Sequence, residues 1–336
     1  MMTEEMDEQA EVVERLLIAN RAKMRLLAEA ASGVSHVVVA ARGTSDNAAR
    51  YAQYVWGARN RLSVGLTTPS LFGILAAPPS LTGALVVGIS QSGQSPDLVA
   101  VLTHARRQER PTVAITNDLN SPLAAAADVV IDLCAGPERA VAATKTYTAQ
   151  LAAVAACSVA FAGSDEKELL ALVPPLRAAV IDSARHASAV AGLVDSDRCV
   201  IVGRGFHHAT VHEWALKLEE LTYLLAQPFS AADVRHGPVA VVEDGFPVLA
   251  VVTAGPTEHQ MRAVVEAMRG RGAHVVTLSD VDDTIGDVVV RFPRVEPWLS
   301  PIVAAPYIQH LSRALALARG LDPEAPRGLT KVTRTR

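Results

Sequence analysis

Three strand-ending stretches of this chain recur at one fixed offset. VVVAARG ends at Gly43 and VIVGRG at Gly205, VVGISQSG at Gly93 and AVVTAG at Gly255, TVAITND at Asp118 and HVVTLSD at Asp280, each pair 162 residues apart. A register kept at three separated places marks a duplicated unit. Apolar, β-branched runs (Val37–Val39, Leu85–Val87, Val113–Ile115, Val129–Ile131) alternate with stretches of helical periodicity such as 47–56 and 95–107. That alternation predicts an α/β fold, an open parallel sheet in each copy with helices on both faces. With 336 residues, half of them apolar, the chain has material for two cores.

The punctuation divides the chain further. Residues 1–30 read as a leading helix, 31–164 as the first α/β copy, 165–193 (rich in Ala, Leu and Glu) as connecting helices and 194–320 as the second copy. Residues 321–336, GLDPEAPRGLTKVTRTR from Gly320 on, are polar, basic and broken by Pro and Gly, a tail without a core of its own.

The formal charge of −4 provides no broad basic field for a nucleic-acid backbone. Cys134, Cys157 and Cys199 have neither metal nor redox spacing, which suits a reducing compartment. The start, MMTEEMDEQAEVVERLL, is acidic and amphipathic, unlike a secretory or transit signal. No uninterrupted apolar run reaches the roughly 20 residues that span a bilayer. The expectation is a cytoplasmic protein with no membrane and no nucleic-acid partner.

The two copies differ at their turns. In an open α/β sheet ligands sit at the carboxyl ends of the strands, where free N–H groups and the positive helix end favour an anion. The first copy has RGTSDN at 42–47, with Thr44 and Ser45, and SQSGQS at 90–95, with Ser90, Gln91, Ser92 and Ser95; AATKTYT at 142–148 adds a third hydroxyl-rich stretch. Singly, each is an ordinary cap or turn. Together they predict a phosphate cradle that needs no Lys or Arg. The second copy has TAGPTE, which puts Pro256 and Glu258 where the anion would lie. Nucleotide motifs do not fit: GRGFHH places a His at the last glycine position of GxGxxG, and no GxxxxGK[ST] occurs.

VHEWALKLEELTY sets Glu213, Lys217 and Glu220 at i, i+4 and i+7, one face of a helix that follows the strand end at Gly205. A stripe of this kind is either a surface ion-pair ladder or a set of titratable groups on the ligand rim. His236, in DVRHGP, is either structural or a proton-transfer group. His208 and His212 are spaced i, i+4 but lack the order of HExxH, so no metal and no cofactor is expected.

GTS (43–45), ISQSG (89–93), ATKTYTAQL (143–151), EWALKLEELTY (213–223), RHGP (235–238) and PRGLTK (326–331) occur in that order. Together they resemble the double sugar-isomerase (SIS) domain family, as in the isomerase half of glutamine–fructose-6-phosphate aminotransferase, over nearly the whole chain. The resemblance implies two tandem three-layer αβα SIS domains with flavodoxin-like parallel sheets. It implies phosphosugar binding by Thr44, Ser45, Ser90, Gln91, Ser92 and Ser95, with Val141 and Thr144 lining the sugar. It implies that Glu220 moves a proton between C1 and C2 with Glu213 and Lys217 in the same site, and that His236 opens the ring from the partner subunit of a homodimer. Lys331 would form a Schiff base with the open-chain ketose.

The pattern also departs from the family. Arg42 stands in place of a cysteine, Asp233 of a glutamate and Gly328 of an asparagine. A chain starting MMTEE is expected to lack a glutaminase domain, and PRGLTKVTRT is closer to stand-alone deaminase-type members. Three readings follow: an amino-sugar-phosphate deaminase/isomerase, an aminotransferase-type isomerase without its glutaminase, and a non-catalytic phosphosugar sensor. A sensor would need only the phosphate turns.

Overall fold

The computed structural model describes residues 1–164 and 166–331; Asp165 and the last five residues of the expected tail, 332–336, lie outside the described residues. Along the chain, α1 (Met2–Asp7), α2 (Gln9–Ala19) and α3 (Arg21–Ala30) precede the first sheet. So the single leading helix expected over 1–30 is three, with breaks at Glu8 and Asn20. The first copy then runs β1 (His36–Ala40), α4 (Thr44–Asn60), β2 (Ser63–Leu66), β3 (Ala84–Ser90), α5 (Pro96–Arg107), β4 (Thr112–Thr116), α6 (Pro122–Ala125), β5 (Val129–Asp132) and α7 (Lys145–Ala162). α8 (Lys167–Leu170), α9 (Val173–Ser183) and a 3-10 segment (Ala184–Leu193) connect it to the second copy. That copy runs β6 (Arg198–Gly203), α10 (His207–Thr222), β7 (Leu225–Ser230), β8 (Pro247–Val252), α11 (Glu258–Arg269), β9 (His274–Ser279), β10 (Val288–Arg291) and α12 (Ser300–Ala318).

Both sheets are five-stranded and parallel, ordered β2-β1-β3-β4-β5 and β7-β6-β8-β9-β10. This is the same flavodoxin-like order twice. Four strand pairs start 162 residues apart to within a residue (36 and 198, 63 and 225, 84 and 247, 112 and 274), while β5 and β10 slip to 129 and 288. The glycines that anchored the repeat, Gly43, Gly205, Gly93 and Gly255, all have positive φ (53°, 62°, 60° and 118°). Both strand-end turns therefore need a residue without a Cβ.

The folded chain forms two compact units that exchange segments. Among the described residues, one holds Ala10–Arg139, Lys145–Val173, Thr330 and Lys331; the other holds Met1–Gln9, Ala140–Thr144 and Pro174–Leu329. In the first-copy unit, central β3 is buried along its whole length. α7 is buried from Lys145 to Val159, as a helix of predominantly apolar composition should be. Trp56 of α4 donates from Nε1 to the Val154 carbonyl at 2.9 Å. In the second-copy unit, Pro228 is accommodated in β7 because β7 is an edge strand. There α1 packs Met2 and Met6 against Ala140, Ala142, Leu221 and Ala316. Among the described residues no helix is long and apolar enough to cross a membrane.

Candidate functional site

In the first-copy unit the winding of the sheet reverses between β1 and β3, which opens the ligand crevice of this topology at their carboxyl ends. Thr44 and Ser45 open α4 after β1; Ser90 ends β3, and Gln91, Ser92 and Ser95 follow it. The turn after β3 is shaped from within. Ser90 Oγ accepts from Gly93 N–H (3.1 Å), Ser92 Oγ accepts from Gln94 N–H (3.3 Å), and the Gln91 carbonyl accepts from Asn117 N–H (3.1 Å). At Gly93 a Cβ would meet Ser121 Oγ at 2.1 Å, so glycine is required by space as well as by φ. Ser95 occupies the N-cap of α5, yet its hydroxyl makes no capping bond. A plain cap would make one, so the capping reading does not account for it. Ser45 is buried and its Oγ accepts from Gln150 Nε2 at 2.9 Å, which ties the first turn to α7.

Two features of this rim differ from expectation. The third hydroxyl-rich stretch is interior: Thr144, Thr146 and Thr148 are fully buried, and the Thr144 carbonyl accepts from Gln309 Nε2 at 3.1 Å. Its hydroxyls are enclosed because α7 is enclosed, so only two open turns remain. A basic residue is also at hand. Arg42, ahead of the first turn, donates from Nε to buried Asp97 Oδ2 at 2.9 Å and thereby links the β1 turn to the first turn of α5. Its charge is already matched by that carboxylate, so the anion-attracting groups remain N–H and O–H donors.

In the second-copy unit the corresponding cradle is filled from within. The Ala254 N–H donates to Asp280 Oδ1 at 2.7 Å, and burial pushes the Asp280 carboxyl up while this bond opposes it. Glu258, expected in the anion position, instead pairs with Arg262 at 2.9 Å.

The stripe on α10 is not a surface ladder. Glu213 and Lys217 are fully buried, with Lys217 Nζ 3.6 Å from Glu213 Oε1; Lys217 also donates to Glu220 Oε2, whose side chain keeps 23% exposure. One ammonium between two carboxylates, only one of them open to solvent, is a costly arrangement that surface packing never requires. Glu219, on the other face, is exposed.

His236 follows a 3-10 turn (Asp233–Arg235) after β7 and is exposed; its ring has no hydrogen-bond partner among the described residues. A structural histidine would be buried and bonded, as His207 is. There Nε2 meets Ser300 Oγ at 2.8 Å and Nδ1 meets Thr210 Oγ1 at 3.1 Å, and burial lowers the ring to about 3. The rings of His208 and His212 lie edge-on at 4.5 Å, and no group of three metal-ligating side chains occurs among the described residues.

The tail is built into the fold as far as Lys331. Pro326 is buried and Gly328 bends with φ 73°. Leu329, the large apolar residue of this stretch, is exposed. Arg327 anchors the tail instead, its N–H donating to Tyr223 Oη at 2.9 Å and its guanidinium lying 4.1 Å from the Tyr223 ring centre. Lys331 belongs to the first-copy unit, where Nζ donates to Glu138 Oε2 at 2.7 Å. Val141 is half-buried on the loop before α7, whose Ala140 N–H is held by Glu5 Oε2 at 3.2 Å.

Glu138 and Asp97 are residues that sequence reasoning missed; Arg42 it marked only as a departure from the family pattern. Glu138 stands three residues before Val141 in a loop of no periodicity, and nothing local marks its carboxylate as buried.

A family model for the SIS domain matches residues 32–160 and 192–286. The chain is 32% identical to the glutamine–fructose-6-phosphate aminotransferase (isomerizing) of Thermococcus kodakarensis over 98% of its own length and 57% of that protein's. It thus spans just over half the length of that relative. The crystal structure of a Silicibacter pomeroyi DSS-3 protein, proposed to be a phosphosugar isomerase, is 31% identical with a TM-score of 0.87, covering 96% of this chain and 99% of that one. A glucosamine-6-phosphate deaminase from Thermotoga maritima superposes with a TM-score of 0.82 over 99% and 98% of the two chains, at 21% identity a likeness of fold.

Proposed function

The chain belongs to the SIS domain family, and from that premise we propose that it is a phosphosugar isomerase, specifically an amino-sugar-phosphate deaminase/isomerase. Its substrate would be glucosamine 6-phosphate or a close relative, its products a ketose 6-phosphate and ammonia. The observation that carries an enzyme rather than a sensor is the α10 cluster, two fully buried opposite charges presenting a partly open Glu220.

In this reading the turns at Thr44–Ser45 and Ser90–Ser95 hold the phosphate by N–H and O–H donors, with half-buried Val141 along the sugar. His236 opens the ring. Its exposure and unpartnered ring suit work in the site of a second copy of the chain, so the assembly proposed is a homodimer. Glu220 takes the proton from C2 of the open-chain amino aldose and returns it to C1, with Lys217 hydrogen-bonded to its carboxylate. The C2 iminium so formed is attacked by the Lys331 amine; ammonia leaves, and water then hydrolyses the lysine-bound iminium to the ketose. The relatedness to an aminotransferase favours a second reading, the same steps run toward the amino sugar from ketose and free ammonia.

A panel of amino-sugar phosphates assayed for ammonia release and ketose formation tests the proposal. Stoichiometric ammonia and ketose from one of them supports the deaminase reading. Ketose–aldose interconversion without ammonia leaves only the isomerase. Binding without any turnover returns the sensor.

A further inference from the structure

Lys331 Nζ donates to the carboxylate of Glu138, and an amine attacks a carbonyl only once a proton has left it and its lone pair is free. Its partner Glu138 is buried and fixed on both oxygens: Oε1 accepts from Thr146 N–H at 3.0 Å, and Oε2 accepts from Thr146 Oγ1 at 2.8 Å and from Lys331 Nζ at 2.7 Å. Thr146 lies at the start of buried α7, so the carboxylate is seated on a rigid element rather than on the tail that brings the lysine. The flanking basic groups are Arg139, exposed, and Lys145, buried in the first turn of α7.

From this geometry we infer that Glu138 is a further catalytic residue, the base that strips Lys331 of its proton and returns that proton to the departing oxygen. The inference rests on the Schiff-base reading above and adds a group to it. In the step with a ketose, a proton passes from Lys331 Nζ to Glu138 Oε2, and the freed lone pair forms the C–N bond at C2. The carbonyl π pair moves onto oxygen, which takes the proton back from Glu138. A second proton then leaves nitrogen through the same carboxylate, and the C–O bond breaks with loss of water. The sum is ammonium plus ketone to iminium plus water, with Glu138 ionised again at the end. Hydrogen bonds from Thr146 direct Oε2 at the lysine throughout.

The test uses the full chain, fructose 6-phosphate and cyanoborohydride, with the adduct on Lys331 located by peptide mass mapping at pH 7 and pH 9.5. Wild type is expected to trap at both pH values. Glu138→Gln keeps the shape but cannot accept a proton. It should bind fructose 6-phosphate as tightly by calorimetry, trap on the order of a hundredfold more slowly at pH 7, and recover most of that loss at pH 9.5, where hydroxide replaces the missing base. Trapping by Glu138→Gln at the wild-type rate at pH 7 overturns the inference and leaves the Schiff base standing. An equal deficit at both pH values overturns it too, because Glu138 would then only position the tail. If wild type traps nothing on Lys331, both readings fall. Should Glu138→Gln not fold, Glu138→Ala is read with and without formate; formate-dependent trapping supports the proton role, and formate-independent trapping overturns it.

Discussion

Lys217 and Glu213 stand one helical turn apart on α10, Nζ to Oε1 3.6 Å, and neither side chain has any exposure. Two charges taken fully out of water are stable there only as a pair. Replacing Lys217 alone by Met strands Glu213 and should cost about 3–5 kcal/mol of stability. The double variant Glu213→Gln/Lys217→Met should recover most of it, a coupling read directly from a double-mutant cycle of urea midpoints. Additive losses would mean the two groups do not act as a pair.

Glu220 shares Lys217 but keeps an open side. Glu220→Gln is expected to bind the phosphosugar normally and to lose at least a hundredfold in exchange of the C1/C2 hydrogen with deuterated solvent, the scale of a general base. Exchange at the wild-type rate, followed by NMR, would assign the proton transfer to another group.

For the phosphate, Ser90→Ala/Ser92→Ala removes two hydroxyls whose turn bonds to Gly93 and Gln94 are worth about 1 kcal/mol each. The variant should remain folded and bind sugar phosphate at least tenfold more weakly, with no change toward the unphosphorylated sugar. Equal calorimetric affinities in wild type and variant would remove the cradle assignment.

If His236 serves the site of a second copy, mixing inactive Glu220→Gln and His236→Ala proteins and allowing subunits to exchange regenerates one intact site per hybrid dimer. Activity should return to about a quarter of wild type at equal mixing. No recovery, once mass measurement shows that hybrids have formed, places both residues in one subunit's site.

Buried His207 sets an acid limit. Burial depresses its ring to about 3, so the unfolded chain takes up a proton below its ordinary pKa of roughly 6.5 while the folded chain does not. The stability is thus complete above that pH and is lost as pH falls toward 3. His310, lowered to about 4 by burial and by Arg313, adds to the trend. Between pH 7.5 and pH 5 wild type should lose roughly 2 kcal/mol more stability than His207→Gln. Parallel losses in the two proteins would show that His207 does not carry the effect.

Much of this protein was legible in its sequence because the signals are local and periodic. The 162-residue repeat and the strand runs follow from short-range sterics and alternation, and the same offset extends to the β2–β7 pair. Helical spacing likewise placed Glu213, Lys217 and Glu220 on one face. Spacing says which residues share a face but not what covers it, so only the packed structure separated a buried cluster from a solvated ladder. Thr144, Thr146 and Thr148 show the reverse case, since hydroxyls typical of a turn are enclosed once α7 packs on all sides. The pairs Arg42–Asp97 and Glu138–Lys331 join residues 55 and 193 positions apart. No periodicity reaches that far: a hydrogen bond between distant residues is decided by where the folded backbone brings their side chains, and by the loss of water that makes each the other's best partner.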